Sequence, residues 1–379
     1  MSGHDSRDDG RRSAPTRVLF DGRALSDPHS RTRGFGVFSW SLLTELGARD
    51  DVAIRALVQR GAPVPRGIES VPVHRFSEHR FSALEHEMRL AFDIARRRAG
   101  VFHSPALEPP VRCTVPWVQT LHDLTPLLFD DPSFTAERDR WRRVFSRMGR
   151  ADTIVAVSSF SAGAATRLLD IDPARIVVIP NGVDGKFRPA KPRREPETPY
   201  VLSVGVYGPH KGYQDAFRVI DELARRGYPH RLKVVGALTP WRQDQIAGLL
   251  ASIPHADRVD IVGFADDDQL LRLYQDAGAL IMTSRSEGFG LPVIEAMACG
   301  TPVVAFDNTS LPEVVGDGGI LVHDGDAVAV ADALAAIIDD PGRRDELAGR
   351  GIAHAREFDW SVVAALYAEI YRNTAARRS

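Results

Sequence analysis

Short apolar runs alternate with longer amphipathic stretches along most of the chain. The short runs are rich in β-branched residues and have the length of strands, whereas the stretches between them carry apolar residues at helical spacing. The strands predicted in the first half are RVLFDG (17–22), VAIRALV (52–58), WVQTLHD (117–123), TIVAVS (153–158) and RIVVIPNG (175–182). Strands that alternate with helices in this way indicate a parallel sheet that is covered on both faces.

The same alternation begins again in the second half. Residues 186–198 are rich in proline and charge, which predicts a linker between two domains at 16–185 and 199–358. The strands predicted after it are YVLSVG (200–205), RLKVVG (231–236), VDIVGF (259–264), ALIMTS (279–284) and TPVVAFD (301–307). We therefore expect an α/β protein of two doubly wound parallel-sheet domains, with a ligand cleft at the carboxyl ends of their strands.

Both ends of the chain fall outside these two domains. Residues 1–15 are polar and have no apolar core of the kind that a secretory signal needs, so we expect a flexible tail. Residues 359–379 are predicted to form a helix, and periodicity does not tell whether it packs on its own half or crosses back to the first domain. Cys113 and Cys299 lack metal or redox spacing, which favours buried free thiols in a cytoplasmic protein.

Composition narrows the range of functions. The chain has 379 residues, 44% of them hydrophobic, and a net charge of -2, which argues against a dedicated nucleic-acid binder. No apolar run approaches the roughly 18 residues that a membrane span needs. Nearly every basic residue is arginine, so the few lysines, which are Lys186, Lys191, Lys211 and Lys233, attract attention as candidates for function.

The stretch SRSEGFGLPVIEAMACGTP (284–302) carries the strongest candidate chemistry. Pro292 suits the start of a helix, and the glycines before it let the backbone pass close to a ligand. Free N–H groups at such a helix start can donate hydrogen bonds to an anion or to hydroxyl oxygens. Glu287 and Glu295 can face the same pocket, where a carboxylate suits the paired hydroxyls of a sugar or a ribose. The simpler interpretation makes Glu295 a solvated helix residue and leaves the glycines to the turn alone.

The whole string resembles the signature of the retaining GT-B glycosyltransferases of family four, which have a glutamate, then GFGLP, then a second glutamate in EAMACGTPVVA. Other segments resemble the family in the same order: TRGFGVFSWSLLTEL (32–46), LHDLTPLLF (121–129), AVSSFSA (156–162), VIPNGVD (178–184), VGFADDDQLLRLYQDA (262–277) and SLPEVVGDGGILV (310–322). The resemblance implies a GT-B fold and transfer of a hexose or deoxyhexose from a nucleotide-diphosphate sugar, with retention. HDLTPLLF is similar to bacterial O-antigen mannosyl- and rhamnosyltransferases, which favours a mannose-like sugar and a glycan, lipid-linked or natural-product acceptor.

The resemblance also implies roles for single residues. Glu295 would hold the ribose, Lys211 the diphosphate, and His122 would lie over the sugar near the reacting carbon. Further backbone and side-chain contacts to the nucleotide-sugar donor would come from Gly34, Gly36, Phe264, Glu287, Gly288, Phe289, Gly290 and Leu291. The alternatives are a structural hydrogen bond for the histidine and a solvated loop position for the lysine.

One position departs from the family pattern. Many members have an arginine where this chain has Val206, so the hold on the diphosphate is expected to differ. His210 and Arg285 are the candidates to replace that arginine.

No metal or other cofactor is expected. The run DDD (266–268) opens a predicted helix, where aspartates cap, and no His/Cys cluster has metal-ligand spacing. The first half shows no evident carboxylate nucleophile, and the resemblance implies a front-side substitution in which the departing phosphate draws the acceptor proton.

Several alternatives stay open at this point. ERDRWRRVFSRMGR (137–150) and MRLAFDIARRR (88–98) suit either ordinary domain helices or a weak peripheral contact with an anionic membrane. A nucleotide-sugar epimerase or hydrolase, or a non-catalytic nucleotide-binding scaffold, would use the same fold. A dinucleotide oxidoreductase is not favoured, because no GxGxxG follows a predicted strand.

Overall fold

The computed structural model describes residues 14–26, 34–73, 82–97, 99–192, 194–237 and 240–377. Most of the predicted tail, residues 1–13, lies outside these ranges.

The first half of the chain forms one parallel sheet. Its seven strands, in the spatial order β3-β2-β1-β4-β5-β6-β7, are β1 (Thr16–Asp21), β2 (Val52–Gln59), β3 (Glu69–Val73), β4 (Val101–Ser104), β5 (Trp117–Leu121), β6 (Thr153–Ala156) and β7 (Ile176–Val178). The helices described around it are α1 (Gly34–Leu46), α2 (Ser82–Arg96), α3 (Thr125–Leu128), α4 (Pro132–Thr135), α5 (Arg138–Phe145) and α6 (Ser159–Leu169). Separate apolar cores fill the two faces of the sheet, which is why its central strands are buried on both sides.

The second half repeats this plan. Its six parallel strands, in the order β10-β9-β8-β11-β12-β13, are β8 (Tyr200–Val204), β9 (Arg231–Val235), β10 (Val259–Gly263), β11 (Ala279–Met282), β12 (Val303–Asp307) and β13 (Ile320–His323). Its helices are α7 (Tyr213–Arg225), α8 (Pro240–Leu250), α9 (Asp267–Asp276), α10 (Leu291–Ala298), α11 (Leu311–Val315), α12 (Ala327–Asp339) and α13 (Pro341–Ala355). The predicted pair of doubly wound parallel sheets is confirmed.

Each sheet has one point where the order of its strands reverses. In the first sheet this point lies between β1 and β4, and in the second it lies between β8 and β11. The connections on either side of such a point run to opposite faces, so a crevice opens beyond the strand ends. The fold thus provides two crevices.

The last helix, α14 (Trp360–Ala376), packs against the first sheet. Trp360, Tyr367 and Tyr371 are buried among residues of that domain, and the Tyr371 hydroxyl lies 2.7 Å from His103 Nδ1 on β4. The chain therefore crosses between the domains a second time. The two segments that connect the domains are hydrogen-bonded to each other, since the N–H of Val183 donates to the carbonyl of Phe358 at 2.8 Å.

Within the described ranges, no helix has both the length and the apolar character needed to cross a membrane. In the basic segment at 137–150, Val144, Phe145 and Met148 are buried in the core. This burial agrees with the interpretation of the segment as an ordinary domain helix.

Candidate active site in the interdomain cleft

A cavity of about 380 Å³ lies between the two domains, beyond the carboxyl ends of both sheets. Among its lining residues are Gly34, His122, Lys211, Phe264, Glu287, Gly288, Phe289, Gly290, Leu291 and Glu295. These residues come from five separate parts of the sequence, at 34, 122, 211, 264 and 287–295, and each was predicted as a site residue. The fold brings them together.

The loop between β11 and α10 forms one wall of this cavity. Gly290 is the residue before the helix and has φ 111°, a backbone conformation that favours glycine. The Ser310 hydroxyl donates to the carbonyls of Glu287 and Phe289, at 3.0 and 2.9 Å, and so fixes the loop. The N–H groups of the first helical turn have no acceptor within the helix, which leaves the Leu291 N–H available to a ligand oxygen.

Lys211 and Glu287 form an ion pair at the centre of the cavity, with Nζ 2.6 Å from Oε1. Both side chains are largely buried. Lys211 ends a short turn that is followed by Gly212, where an added Cβ would lie 1.9 Å from the carbonyl oxygen of Thr283. This close contact between the turn and the end of β11 sets the ammonium beside the carboxylate. The pair offers a cation for a phosphate and an acceptor for hydroxyls.

Glu295 lies deeper in the same cavity. The Tyr274 hydroxyl donates to Oε2 at 2.7 Å, which leaves Oε1 free to accept from a ligand. Burial raises the pKa of Glu295 from 4.5 to about 7. At neutral pH this carboxyl group is therefore divided between its neutral and charged forms.

We expect the Glu295→Gln variant to lose part of the pH dependence of folding stability. A carboxyl whose pKa is raised in the folded state stabilises the fold most below its unfolded pKa near 4.5, and this contribution disappears as the pH rises through about 7. The loss amounts to no more than about 3 kcal/mol, because the side chain also faces the water of the cavity. Urea unfolding of both proteins at pH 5 and pH 8 measures it. Equal pH dependence in the two proteins would show that Glu295 titrates normally.

His122 approaches the cavity from the first domain. Its ring packs edge-on against Phe35 and Phe38, each with centroids 4.7 Å away. One ring nitrogen bonds the carbonyl of Pro105, while Nε2 is buried without a partner among the described residues. Burial lowers the pKa of His122 to about 3, so the ring is neutral. Because the bonded nitrogen must donate to the carbonyl, Nε2 carries a lone pair that can accept a ligand hydroxyl.

The structure adds four charged residues that sequence reasoning did not assign to the site, Asp123, Asp184, Lys186 and Asp267. Asp123 Oδ1 accepts from the N–H of Thr125 at 3.0 Å, and burial, helped by the nearby Glu287 carboxylate, raises the pKa of Asp123. Lys186 Nζ lies 2.7 Å from Asp267 Oδ2. Two sequence features could have pointed to site residues: Asp123 is next to His122, and Lys186 is one of the few lysines in the chain.

Gly36, His210 and Arg285 do not line the cavity. Gly36 is buried inside helix α1. His210 faces Phe129 and Phe134, and burial lowers its pKa to about 4, so it carries no charge for a phosphate.

The Arg285 guanidinium bonds two carboxylates outside the cavity, Asp215 at 2.6 Å and Asp324 at 3.1 Å. The geometry therefore does not support Arg285 or His210 as the replacement for the arginine missing at Val206. The cationic side chains among the described lining residues are Lys186 and Lys211.

The aspartate run at 266–268 caps a helix, as predicted. The Asp266 side chain accepts from the N–H of Gln269 at 2.8 Å, and the Gln269 side chain accepts in return from the Asp266 N–H at 3.1 Å. In the part of the chain that the structure describes, no group of three or more His, Cys, Asp or Glu side chains is arranged to hold a metal ion.

The two domains touch directly at Gly288. An added Cβ there would lie 1.8 Å from the carbonyl oxygen of His122, and the Gly288 carbonyl accepts from the hydroxyls of Ser158 and Ser161 at 2.8 and 3.2 Å. Beside this contact, the Glu313 carboxylate accepts from the first N–H groups of helix α6, each at 2.7 Å. Polar contacts therefore join the two domains beside the cavity.

Two parallel-sheet domains, with Glu287, Glu295 and Lys211 in the cleft between them, define a glycosyltransferase of the GT-B class. Residues 185–354 match the family model of the glycosyl transferases group 1, and residues 32–187 match that of glycosyltransferase family 4. The chain therefore belongs to the glycosyltransferases described by these two family models, and it is a transferase enzyme.

Individual proteins agree with this assignment. The chain is 32% identical to a D-inositol 3-phosphate glycosyltransferase from Actinosynnema mirum, over 83% of this chain and 85% of that protein. It is 28% identical to the O-antigen chain mannosyltransferase B of Escherichia coli, over 73% of this chain and 75% of that one. The structure of Anabaena Alr3699/HepE in complex with UDP-glucose has the same fold, with a TM-score of 0.74 at 19% identity, and covers 94% of this chain and 99% of that one.

Proposed function

We propose that the enzyme transfers a hexose or deoxyhexose, preferably mannose-like, from a nucleoside diphosphate to a hydroxyl of a glycan, lipid-linked or natural-product acceptor, with retention of configuration. The ion pair between Lys211 and Glu287 is the observation that carries this proposal, because it sets a cation and a hydroxyl acceptor side by side in the cleft between the domains. The O-antigen mannosyltransferase relative supports the sugar, and the UDP-glucose complex of HepE supports the donor class.

The donor would lie along the second domain. The free oxygen of Glu295 suits the ribose hydroxyls, and exposed Phe264 suits the base. Lys211 would exchange part of its contact with Glu287 for the diphosphate. When the glycosyl–phosphate bond breaks, the nucleotide gains a negative charge, so a fixed ammonium stabilises the transition state more than the bound donor.

The proposed chemistry is a front-side substitution. The bond from the anomeric carbon to the phosphate oxygen breaks, the acceptor oxygen bonds to that carbon on the same face, and the departing phosphate takes the acceptor proton. His122 Nε2 would accept a sugar hydroxyl near the reacting carbon. Asp123 is the alternative nucleophile, yet burial raises its pKa and the Thr125 N–H occupies one oxygen, and both make it a poor one.

Transfer assays with UDP, GDP, ADP and dTDP sugars test this proposal. We expect nucleotide release that depends on an acceptor, and a product with the anomeric configuration of the donor by NMR. Acceptor-independent release would favour a hydrolase or an epimerase, and nucleotide binding without turnover would favour the scaffold. An azide adduct of inverted configuration from Asp123→Ala would identify Asp123 as a nucleophile and contradict the front-side route.

We also propose weak peripheral contact with an anionic membrane through helix α2. Met88 and Phe92 are each 61% exposed, four residues apart on one face, and Arg96 lies at the end of the helix. The double variant Met88→Ser/Phe92→Ser should lose most co-sedimentation with phosphatidylserine vesicles. Equal sedimentation of the variant and the wild type would contradict this contact.

A further inference from the structure

A second pocket, of about 320 Å³, opens at the carboxyl end of the first sheet. Its lining includes Asp21 at the end of β1 and Pro105 directly after β4. It therefore occupies the place where the strand order of the first sheet reverses, while the donor cavity lies beyond the corresponding point of the second sheet. Such crevices are the places where doubly wound sheets bind ligands.

This pocket adjoins the donor cavity. Phe35 lines both, and its ring lies edge-on to His122 with centroids 4.7 Å apart. Pro105, which lines the second pocket, accepts a hydrogen bond from the same histidine through its carbonyl. The second pocket and the donor cavity therefore meet at Phe35, beside His122.

We propose that this pocket is the acceptor site and that it selects an uncharged, hydroxyl-rich group, such as a neutral sugar unit, over a phosphorylated one. The inference rests on the proposed transferase function and goes further by naming the acceptor class. The relatives leave that class open, since one is named for an O-antigen chain and another for D-inositol 3-phosphate.

The charged side chains of the pocket are the basis for the proposed preference for a neutral over a phosphorylated acceptor. Arg23 donates through Nε and Nη2 to the two oxygens of Asp21, at 2.7 and 2.6 Å, and Asp21 is only 1% exposed. The guanidinium charge is thus already matched by a carboxylate, while the remaining N–H groups can still donate to hydroxyls.

Glu108 adds a second carboxylate to the described lining, against the single guanidinium. Its contact with Arg140, at 3.3 Å, lies between two half-exposed side chains and is screened by water. Among the described lining residues, a dianionic phosphate would meet two carboxylates and one already neutralised cation, whereas a sugar would find both donors and acceptors. Repulsion of the wrong ligand is one source of specificity.

The loop on the far side of the pocket is held in position. Gln119, fully buried on β5, donates through Nε2 to the carbonyl of Ala106 at 2.9 Å. This bond fixes residues 105–108 relative to the sheet. The pocket is therefore formed before an acceptor arrives, which lowers the entropic cost of binding.

The test uses methyl α-mannoside and its 6-phosphate as a matched pair of acceptors, at saturating donor. We expect transfer to the neutral member to be at least tenfold more efficient in kcat/KM. Arg23→Lys should raise the acceptor KM about tenfold, because an ammonium cannot hold Asp21 side-on and still present its remaining donors. Glu108→Gln should narrow the preference for the neutral acceptor.

Arg49→Lys is the matched control, since Arg49 also holds an aspartate side-on, Asp51, at 2.9 Å for both bonds, outside the pocket. It should leave both acceptor constants unchanged. The thermal shift with nucleoside diphosphate should be the same in all these variants.

Two results overturn the acceptor inference while the donor still binds. One is equal or better transfer to the phosphorylated member, or transfer to neither. The other is an unchanged acceptor KM in Arg23→Lys. Loss of both nucleotide binding and transfer in the wild type would instead overturn the proposed transferase function.

Discussion

Replacement of Lys211 by alanine is expected to lower kcat by about 100- to 1,000-fold. The ammonium is the cation that pairs with Glu287 in the cavity, at 2.6 Å, and Val206 stands where many family members have an arginine. Without Lys211, the charge that develops on the departing phosphate would have little compensation, and Glu287 would lose its partner. Steady-state kinetics with saturating donor and acceptor measures the effect.

Lys191→Ala serves as the control for this substitution, because Lys191 is exposed and lies outside the cavity. It should retain wild-type kcat. A loss of less than about tenfold in Lys211→Ala, with the protein folded, would remove the charge-stabilising role and leave the lysine a structural partner of Glu287.

Gly288→Ala is expected to lower kcat/KM by about 100-fold or more, while both domains stay folded. The added Cβ would lie 1.8 Å from the His122 carbonyl oxygen and 2.6 Å from Asp123 Cβ, atoms of the opposite domain. The domains would therefore have to move apart, and His122 would leave the sugar. Small-angle scattering with bound nucleotide should give a larger radius of gyration for the variant.

Gly248→Ala is the control for the added methyl group, since a Cβ there would meet nothing within 4 Å. It should leave the activity and the radius of gyration unchanged. Wild-type activity in Gly288→Ala would mean that the closed contact between the domains is not needed for turnover.

The alternation of strands and helices predicted most of the fold. The strands that this pattern missed, β3, β4 and β13, are short, with five, four and four residues. β3 also contains Pro72, which cannot donate to a sheet and is tolerated because the strand lies at an edge. A run of four residues such as VFHS carries too little periodicity to separate a strand from a loop.

The sequence could place residues 287–295 in one pocket because they belong to a single motif, and the structure puts them along one cavity. Arg285 could not be placed from the sequence, since its direction is set by Asp215 and Asp324, far away in the chain. His210 is likewise directed by Phe129 and Phe134 of the other domain. The contacts of Arg285 depend on packing within the second domain, and those of His210 depend on how the two halves meet. No local pattern encodes either of them.

Thermal unfolding of the wild type and Glu295→Ala with UDP, GDP, ADP and dTDP tests the central claim most directly, because it requires no acceptor. A nucleotide at a hundredfold its dissociation constant stabilises the folded protein by about 2.7 kcal/mol, which raises the midpoint by several degrees. We predict that one diphosphate raises the wild-type midpoint most and that Glu295→Ala loses that shift, because in the proposed function Glu295 binds the ribose. No shift with any of the four in folded wild type, or an equal shift in the variant, would contradict a nucleotide-sugar site at Glu295.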